Sequence, residues 1–154
     1  MNPTIESRLK ELGVTLPVAA APAANYLPFM PTGNLVFTAG QLPLRDGKLA
    51  WKGLLGRDLD TATGREAAKL CAINVLAQAK AAIGDLAGIK RIVKITVFVA
   101  STPDFTEQHL VANGASDFLV AVLGEAGKHA RSAVGTASLP LDAPVEVEAI
   151  LEVA

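Results

Sequence analysis

The twenty-five residues from His129 to Val153 decide the fold, and they read His-Ala-Arg-Ser-Ala-Val-Gly-Thr-Ala-Ser-Leu-Pro-Leu-Asp-Ala-Pro-Val-Glu-Val-Glu-Ala-Ile-Leu-Glu-Val. Apart from Ile150, the last nine alternate between apolar and acidic side chains, and this period of two predicts a β-strand. A shorter strand is predicted from Ser132 to Ala137, and the proline-containing segment after it predicts a turn. The C-terminal end of the chain therefore contains two strands that can lie side by side.

Two long helices and a further strand are predicted upstream of this stretch. Thr61 to Ile83 follows the helical period of 3.6 residues, and Gly84 ends the pattern. From Arg91 to Val99 the chain alternates strictly, which predicts a strand. A second helix is predicted to begin between Gln108 and Ala115 and to end near Gly124. The strand residues predicted to share one face are Val93, Ile95, Val97 and Val99.

The N-terminal part of the chain adds shorter elements. A short amphipathic helix is predicted from Thr4 to Leu12, and the Pro- and Ala-rich residues 14–33 are predicted to be extended chain. Asn34 to Ala39 is predicted to be a strand, and the Asp-Gly pair of Arg45-Asp-Gly-Lys48 predicts a hairpin turn before a short strand at Leu49–Trp51. This order of elements predicts an α+β domain in which two long helices pack on one face of a mixed sheet.

Length and composition limit the class of protein. The 154 residues weigh 15.9 kDa, which is about the size of one domain. The chain is 51% hydrophobic but 5% aromatic, with a mean hydropathy of +0.37, so disorder is excluded and the apolar surplus favours an oligomer. A net charge of −1 and a pI near 6.1 predict neither a nucleic acid nor an anionic membrane as partner.

Residues 12–44 contain no charged side chain, which could indicate a membrane span or a secretion signal. A helix that crosses a bilayer needs roughly 20 uninterrupted apolar residues, and this segment is broken by Pro17, Pro22, Pro28, Pro31 and Gly33. Glu6 and Glu11 lie where a signal peptide would be basic. Cys71 is the only cysteine, so no disulfide framework is predicted and a reducing cytoplasm is the expected location.

Common catalytic and metal motifs do not occur in the sequence. His109 and His129 are too far apart for a short metal-ligand motif, so they are interpreted as surface or structural histidines and no metal site is predicted. Ser116 lacks the second glycine of a nucleophile elbow. A catalytic triad of His129, Ser132 and Asp142 could be imagined, but nothing in the sequence places these three residues together.

Arg131 and Glu146 open the two C-terminal strands, and Glu146 follows Arg131 by fifteen residues. Adjacent strands joined by a short turn can bring two such side chains close together. The spacing alone leaves two interpretations open. One is an exposed cross-strand ion pair, which contributes little to stability, and the other is a site that combines a cation with a carboxyl group.

Three blocks of the sequence carry a family resemblance. The first is Gly33-Asn-Leu-Val-Phe-Thr-Ala-Gly-Gln-Leu-Pro43, and the second is Arg91 to Val99 with the Asp104-Phe105 pair that follows it. The third comprises the Ala-Arg-Ser-Ala-Val, Leu-Pro and Val-Glu-Val-Glu-Ala-Ile segments between His129 and Ile150. Together, from about Ala23 to Ile150, they resemble the RidA/YjgF family, which is also called the L-PSP endoribonuclease family.

The resemblance implies a chorismate-mutase-like α+β fold, a homotrimer, and ligand sites in clefts between subunits. By position, Arg131 matches the arginine that binds a substrate carboxylate, and Glu146 matches the family's acidic site residue. Tyr26, Asn113 and Ala133 match further substrate-binding positions. The implied reaction is hydrolysis of 2-aminoacrylate, through its 2-iminopropanoate tautomer, to pyruvate and ammonia. Glu146 would assist the attack of water, and neither a metal nor an organic cofactor is required.

The chain departs from the family pattern at three places. Ala39 stands where serine is usual, Ala133 stands where cysteine is common, and residues 1–17 add an N-terminal helical extension to a single domain of residues 18–154. Because these departures leave the substrate open, the alternative is a non-catalytic module that binds small carboxylates in the same cleft. An endoribonuclease is a weaker alternative, since the chain lacks a basic, aromatic groove for RNA.

Overall fold

The computed structural model describes residues 3–22 and 24–154, and these contain three α-helices and seven β-strands. In chain order the elements are α1 (Ile5–Glu11), β1 (Phe29–Thr32), β2 (Leu35–Thr38), β3 (Leu44–Arg45), β4 (Lys48–Leu49), α2 (Thr61–Ile83), β5 (Ile89–Ala100), α3 (Gln108–Leu123), β6 (Ala130–Thr136) and β7 (Val145–Val153). The first two residues of the predicted extension, and Ala23 where the resemblance begins, lie outside the described residues.

Five strands form one mixed sheet in the order β1-β2-β7-β5-β6. β7 lies between β2 and β5 and is antiparallel to both, while β6 at the edge is parallel to β5. A separate β3-β4 hairpin turns at Asp46 and Gly47, whose φ angles of 54° and 77° suit the Asp-Gly turn predicted there. The mixed sheet of the predicted α+β fold is confirmed.

The two long helices pack against each other and against the same face of the sheet, as predicted. The predicted bounds of α2 are confirmed: the Asp60 side chain accepts a hydrogen bond from the Thr63 N–H at its start, and Gly84 ends it with a φ of 82°. α3 begins at Gln108 and runs unbroken through the Asn113-Gly114 pair. A Cβ at residue 114 would collide with the Arg65 carbonyl oxygen, so this glycine lets the two helix backbones approach closely.

The core lies between the helices and the sheet and consists mainly of Ala, Val, Leu and Ile. Cys71 on α2 is fully buried within it, and this burial raises the pKa of the thiol well above its ordinary value. Since the thiolate is the nucleophilic form of cysteine, a buried and protonated Cys71 contributes packing to the fold.

Two details of the sheet differ from the sequence prediction. The predicted alternation of β5 is wrong at Val93, which is 38% exposed, whereas Ile92 is 1% exposed. The register against β7 shifts between Ile92 and Lys94, and this bulge turns Ile92 into the core. Within residues 14–33, which were predicted to be extended chain, Phe29–Thr32 forms a strand that was not predicted, β1, and it pairs with β2.

The face of the sheet opposite the helices is open in a single chain. Phe37 on this face is 40% exposed. The same face also carries a mixture of polar and apolar side chains: Lys94, Thr96, Val134, Glu148 and Ile150. Several of them line a recess of about 280 Å3. An exposed aromatic side chain in a recessed face of this kind is typical of a surface that can contact another protein.

The predicted N-terminal helix is confirmed as α1, which packs against α3. Thr4 and Ser7 form a capping box at its start. The Arg8 guanidinium donates to the Val122 carbonyl oxygen near the end of α3, at 3.2 Å. The boundary of the extension at residue 17 stays a prediction. Within the described residues, no helix is both long enough and apolar enough to cross a membrane.

Candidate functional site

Arg131 lies near the start of β6, opposite the buried Ile95 of β5, so its side chain leaves the sheet on the helix side. There it meets α3. Its Nη1 donates to Asn113 Oδ1 at 2.9 Å and to Ser116 Oγ at 3.1 Å, and its Nη2 donates to the His109 carbonyl oxygen at 3.4 Å. The arginine and one of the predicted binding residues, Asn113, are therefore in direct contact.

The charge of the half-buried Arg131 side chain has no acidic partner. Among residues 3–22 and 24–154, no carboxylate oxygen lies within 4.0 Å of its guanidinium nitrogens. All three of its acceptors are neutral groups. A partly buried cation is normally paired, so the guanidinium is available to an anion from outside the chain.

His129 also contacts Ser116, the residue that accepts a hydrogen bond from Arg131. Its Nε2 is 2.9 Å from Ser116 Oγ, and its Nδ1 is 2.6 Å from the Gly127 carbonyl oxygen. The triad considered from the sequence does not form, since His129 contacts Ser116 instead of Ser132. We call Arg131, Asn113, Ser116 and His129 the arginine cluster.

Glu146 occupies the opposite side of the sheet. Glu146 lies opposite Phe98 of β5, whereas Arg131 lies opposite Ile95, three residues earlier on the same strand. Because side chains alternate along a strand, residues three apart point to opposite faces of the sheet. Its carboxyl group packs directly on Gly40, where a Cβ would lie 2.7 Å from Glu146 Cδ. In the part of the chain that the structure describes, no hydrogen bond to this carboxyl group is present. Burial, followed by the nearby negative charge of Glu148, raises the pKa of Glu146.

Tyr26 lies in a bend before β1 and is 48% exposed. Together with Ala39 and Gly40 it lines a recess of about 90 Å3. Because Gly40 also contacts Glu146, these residues form one region at the end of β2. We call Glu146, Gly40 and Tyr26 the glutamate cluster.

The five predicted site residues therefore fall into two groups in one chain. Ala133 belongs with the arginine cluster, since it lies two residues after Arg131 on the same face of β6 and is half-buried. The cross-strand ion pair considered for Arg131 and Glu146 is wrong, because β5 separates their strands and their side chains leave opposite faces of the sheet.

Three residues of these clusters were not predicted from the sequence. Ser116 could have been found, because it follows Asn113 by three residues on one helix and therefore shares its face. His129 and Gly40 carry no such local signal, since their contacts depend on the packing of α3 and β7. No group of three or more His, Cys, Asp or Glu side chains in the described part of the chain could hold a metal ion.

The sequence and fold of this chain are similar to those of known proteins. Residues 6–153 match the family model described as YjgF/chorismate mutase-like, putative endoribonuclease. Protein TCP17 of Trypanosoma cruzi is 49% identical over 149 residues, which are 96% of this chain and 93% of TCP17. The crystal structure of the protein Atu1372 from Agrobacterium tumefaciens is 59% identical, with a TM-score of 0.92 over 97% of this chain and 92% of that one. The structure of E. coli TdcF with bound serine is 29% identical, with a TM-score of 0.65 over 89% of this chain and 94% of TdcF.

Proposed function

The chain belongs to the YjgF/chorismate mutase-like family, and on that premise we propose that it hydrolyses small enamine and imine intermediates of the 2-aminoacrylate type. The products are a 2-oxo acid and ammonia. The proposed location is the cytoplasm, because a single cysteine suits a reducing compartment. Its substrate is a small imino acid, and the proposed reaction needs neither a metal nor an organic cofactor.

The observation that carries this proposal is the unpaired charge of Arg131. Its guanidinium is oriented by three neutral acceptors, and its Nε and one hydrogen of Nη2 remain for a ligand. This edge of a guanidinium matches the two oxygens of a carboxylate. The related TdcF was solved with serine, which is a small molecule with one carboxylate, and this supports the same class of ligand here.

Glu146 supplies the proton transfer in the proposed mechanism. In its carboxylate form it takes a proton from the water that attacks the electrophilic imine carbon. It returns this proton to the nitrogen, which gives a carbinolamine. It then moves the proton of the new hydroxyl group to the same nitrogen, so that the C–N bond breaks, ammonia leaves and the carbonyl group forms. A general base works best when its pKa is close to the working pH, and the burial that raises the pKa of Glu146 acts in this direction.

The proposed active form is a homotrimer in which the arginine cluster of one chain faces the glutamate cluster of its neighbour. Two observations support it. The clusters lie on opposite faces of the sheet within one chain, so they cannot act on one small molecule there. The open face, with Phe37 40% exposed, and the edge strand β6 both provide surface for another subunit.

The reaction is tested by generating 2-aminoacrylate in situ with a serine or cysteine dehydratase and following pyruvate release. We expect the wild-type protein to accelerate pyruvate release. In Arg131→Ala the rate acceleration should fall at least about 100-fold, because two charge-assisted hydrogen bonds to the substrate are removed. Arg65→Ala, which removes an exposed arginine on α2, is the control that should keep full activity. Equal acceleration by wild type and Arg131→Ala would reject the deaminase function.

The arrangement across subunits is tested by mixing. Arg131→Ala and Glu146→Gln chains are each inactive in the proposal, but co-expressed in equal amounts they form some interfaces in which both clusters are intact. Random assembly predicts recovery of about a quarter of the wild-type rate, because half of the chains carry each intact cluster. No recovery, in trimers shown to contain both chains, would place the whole site in one subunit.

One observation also favours a second function, the binding of small carboxylates without turnover. The arginine cluster is complete in one chain, and its hydrogen bonds do not involve Glu146. Titration with pyruvate distinguishes the two functions. Saturable binding that Arg131→Ala abolishes, without any acceleration of pyruvate release, would identify a binding module.

A further inference from the structure

We infer that Ser116 and His129 are positioning residues that hold the guanidinium of Arg131 in the orientation needed to bind a carboxylate. The inference rests on the proposed function for the ligand that Arg131 binds. Neither residue needs to touch the substrate. They act through one chain of hydrogen bonds that runs from Arg131 to Ser116, then to His129, and ends at the Gly127 carbonyl group.

The direction of each hydrogen bond follows from its partners. A carbonyl oxygen can only accept, so His129 Nδ1 must carry the hydrogen that it shares with Gly127. In a neutral imidazole the other nitrogen, Nε2, is then an acceptor, and the Ser116 hydroxyl donates to it. This leaves the lone pairs of Ser116 Oγ for the Arg131 Nη1 hydrogen. The Gly127 carbonyl group therefore sets the hydrogen position on His129, and His129 sets the direction of the Ser116 hydroxyl group.

The far end of this chain is anchored in the backbone. Gly127 is buried in the short 3-10 turn that follows α3. A Cβ at this position would collide with the Leu119 carbonyl oxygen of α3, so the turn lies directly against the helix. The carbonyl group that orients His129 is consequently held by the same helix that carries Ser116 and Asn113.

The chain of hydrogen bonds limits the freedom of Arg131. Without Ser116, the guanidinium would keep one short hydrogen bond, to Asn113 Oδ1, and the longer 3.4 Å contact to the His109 carbonyl oxygen. Ser116 Oγ gives Nη1 a second short acceptor, at 3.1 Å, which further restricts rotation of the guanidinium, while Nε makes no hydrogen bond within the described residues. Arginine has many rotamers, and ordering it before the ligand arrives removes that entropy cost from binding.

Two substitutions at His129 separate this role from simple packing. His129→Gln can place an amide oxygen near the position of Nε2 and so keeps an acceptor for Ser116. His129→Phe keeps a flat ring of similar size but has no acceptor. Ser116→Ala removes the central link directly. All three leave Arg131, Asn113 and Glu146 unchanged.

The first measurement is kinetic, with in situ 2-aminoacrylate as substrate and pyruvate as a ligand. We expect His129→Phe and Ser116→Ala to raise KM and the pyruvate Kd about tenfold, the effect of losing one hydrogen bond to a charged group. The value of kcat should stay within about twofold, because the lost interaction is made equally by substrate and transition state. His129→Gln should recover most of the affinity. Loss of kcat without a change in KM, or equal damage by Gln and Phe, would overturn the inference.

The second measurement does not depend on activity. Crystal structures of wild type, His129→Phe and Ser116→Ala show directly whether the Arg131 guanidinium keeps its place against Asn113. If no imine hydrolysis or carboxylate binding is found in wild type, the proposed function fails, but a displaced Arg131 in both variants would still support the positioning role. An unmoved Arg131 in both variants would overturn it whatever the activity. Should His129→Phe not fold, Ser116→Ala and His129→Gln test the same link.

Discussion

The arginine cluster and the glutamate cluster are built in different ways. Directed hydrogen bonds of 2.6 to 3.1 Å join the side chains of the arginine cluster to each other and to the backbone of its own chain. Glu146 instead lies against Gly40 and is held by burial and close contact. The first cluster is therefore held together by hydrogen bonds within one chain, whereas in the second the main feature is the burial that raises the pKa of Glu146.

The position of the two clusters also differs, and the cause is the register of the sheet. Arg131 is opposite Ile95 and Glu146 is opposite Phe98 on the same strand. Three residues along a strand reverse the side-chain direction, and no movement of a side chain can cross the sheet. A site that uses both groups must then be assembled from two chains, so assembly and activity should be lost together.

Breaking the assembly should give the largest effect. Phe37→Glu puts a charge on the open face, where we expect an apolar contact between subunits. Burying an unpaired carboxylate is costly, so we expect trimers to dissociate and imine hydrolysis to fall by at least about 100-fold. Sedimentation velocity and pyruvate release measure the two outcomes on one sample.

The matched control for this substitution is Leu12→Glu. Leu12 is 46% exposed, close to the 40% of Phe37, but it lies at the end of α1 on the helix side. It should leave both the trimer and the activity unchanged. A Phe37→Glu protein that is monomeric and fully active would contradict the assembly of the site from two chains.

A smaller effect is expected when the glutamate cluster alone is disturbed. In Gly40→Ala, the new Cβ would lie 2.7 Å from Glu146 Cδ, so the carboxyl group has to move. We expect kcat to fall about tenfold or more, as for a misplaced catalytic group. The pyruvate Kd should change less than about twofold, because the arginine cluster lies on the other face.

Gly88→Ala provides the control for Gly40→Ala. A Cβ at residue 88 would meet only Ile83 Cδ1, at an ordinary contact distance of 3.4 Å. Its kcat and pyruvate Kd should match those of wild type. If Gly40→Ala weakens pyruvate binding as strongly as it lowers kcat, the two clusters do not have separate roles.

The smallest effect is expected from Glu148→Gln, which changes the pKa of Glu146 without displacing its side chain. The negative charge of Glu148 contributes to the raised pKa of Glu146, after burial. Removing that charge lowers the pKa of Glu146, so the base is ionised at lower pH. The acid limb of the kcat/KM profile should therefore move toward lower pH.

Glu152→Gln on the same strand is the control, since Glu152 pairs with Arg91 and does not contribute to the pKa of Glu146. Its profile should coincide with that of wild type. An acid limb that stays in place in Glu148→Gln, or moves toward higher pH, would show that Glu146 is not the titrating base.

Local patterns explain which parts of the fold could be predicted. α2 and β7 have the bounds predicted for them, because their periods are uninterrupted and Asp60 and Gly84 mark the ends of α2. The alternation of β5 misleads at Val93, because a bulge is visible only against the partner strand. β1 escaped prediction because Pro31 interrupts its short strand pattern, and its pairing with β2 is what makes it a strand.

The sequence by itself determined the order of most helices and strands, and the family resemblance of its motifs identified Arg131 and Glu146 as candidate site residues. The helices and strands could be predicted because periodicity and caps act between residues that are close along the chain. Only the tertiary structure decided that these two groups lie on opposite faces, and that Ser116 and His129 join Arg131 in one chain of hydrogen bonds. Both depend on the register of paired strands and on the packing of α3 against β6, which join residues that are distant in the sequence.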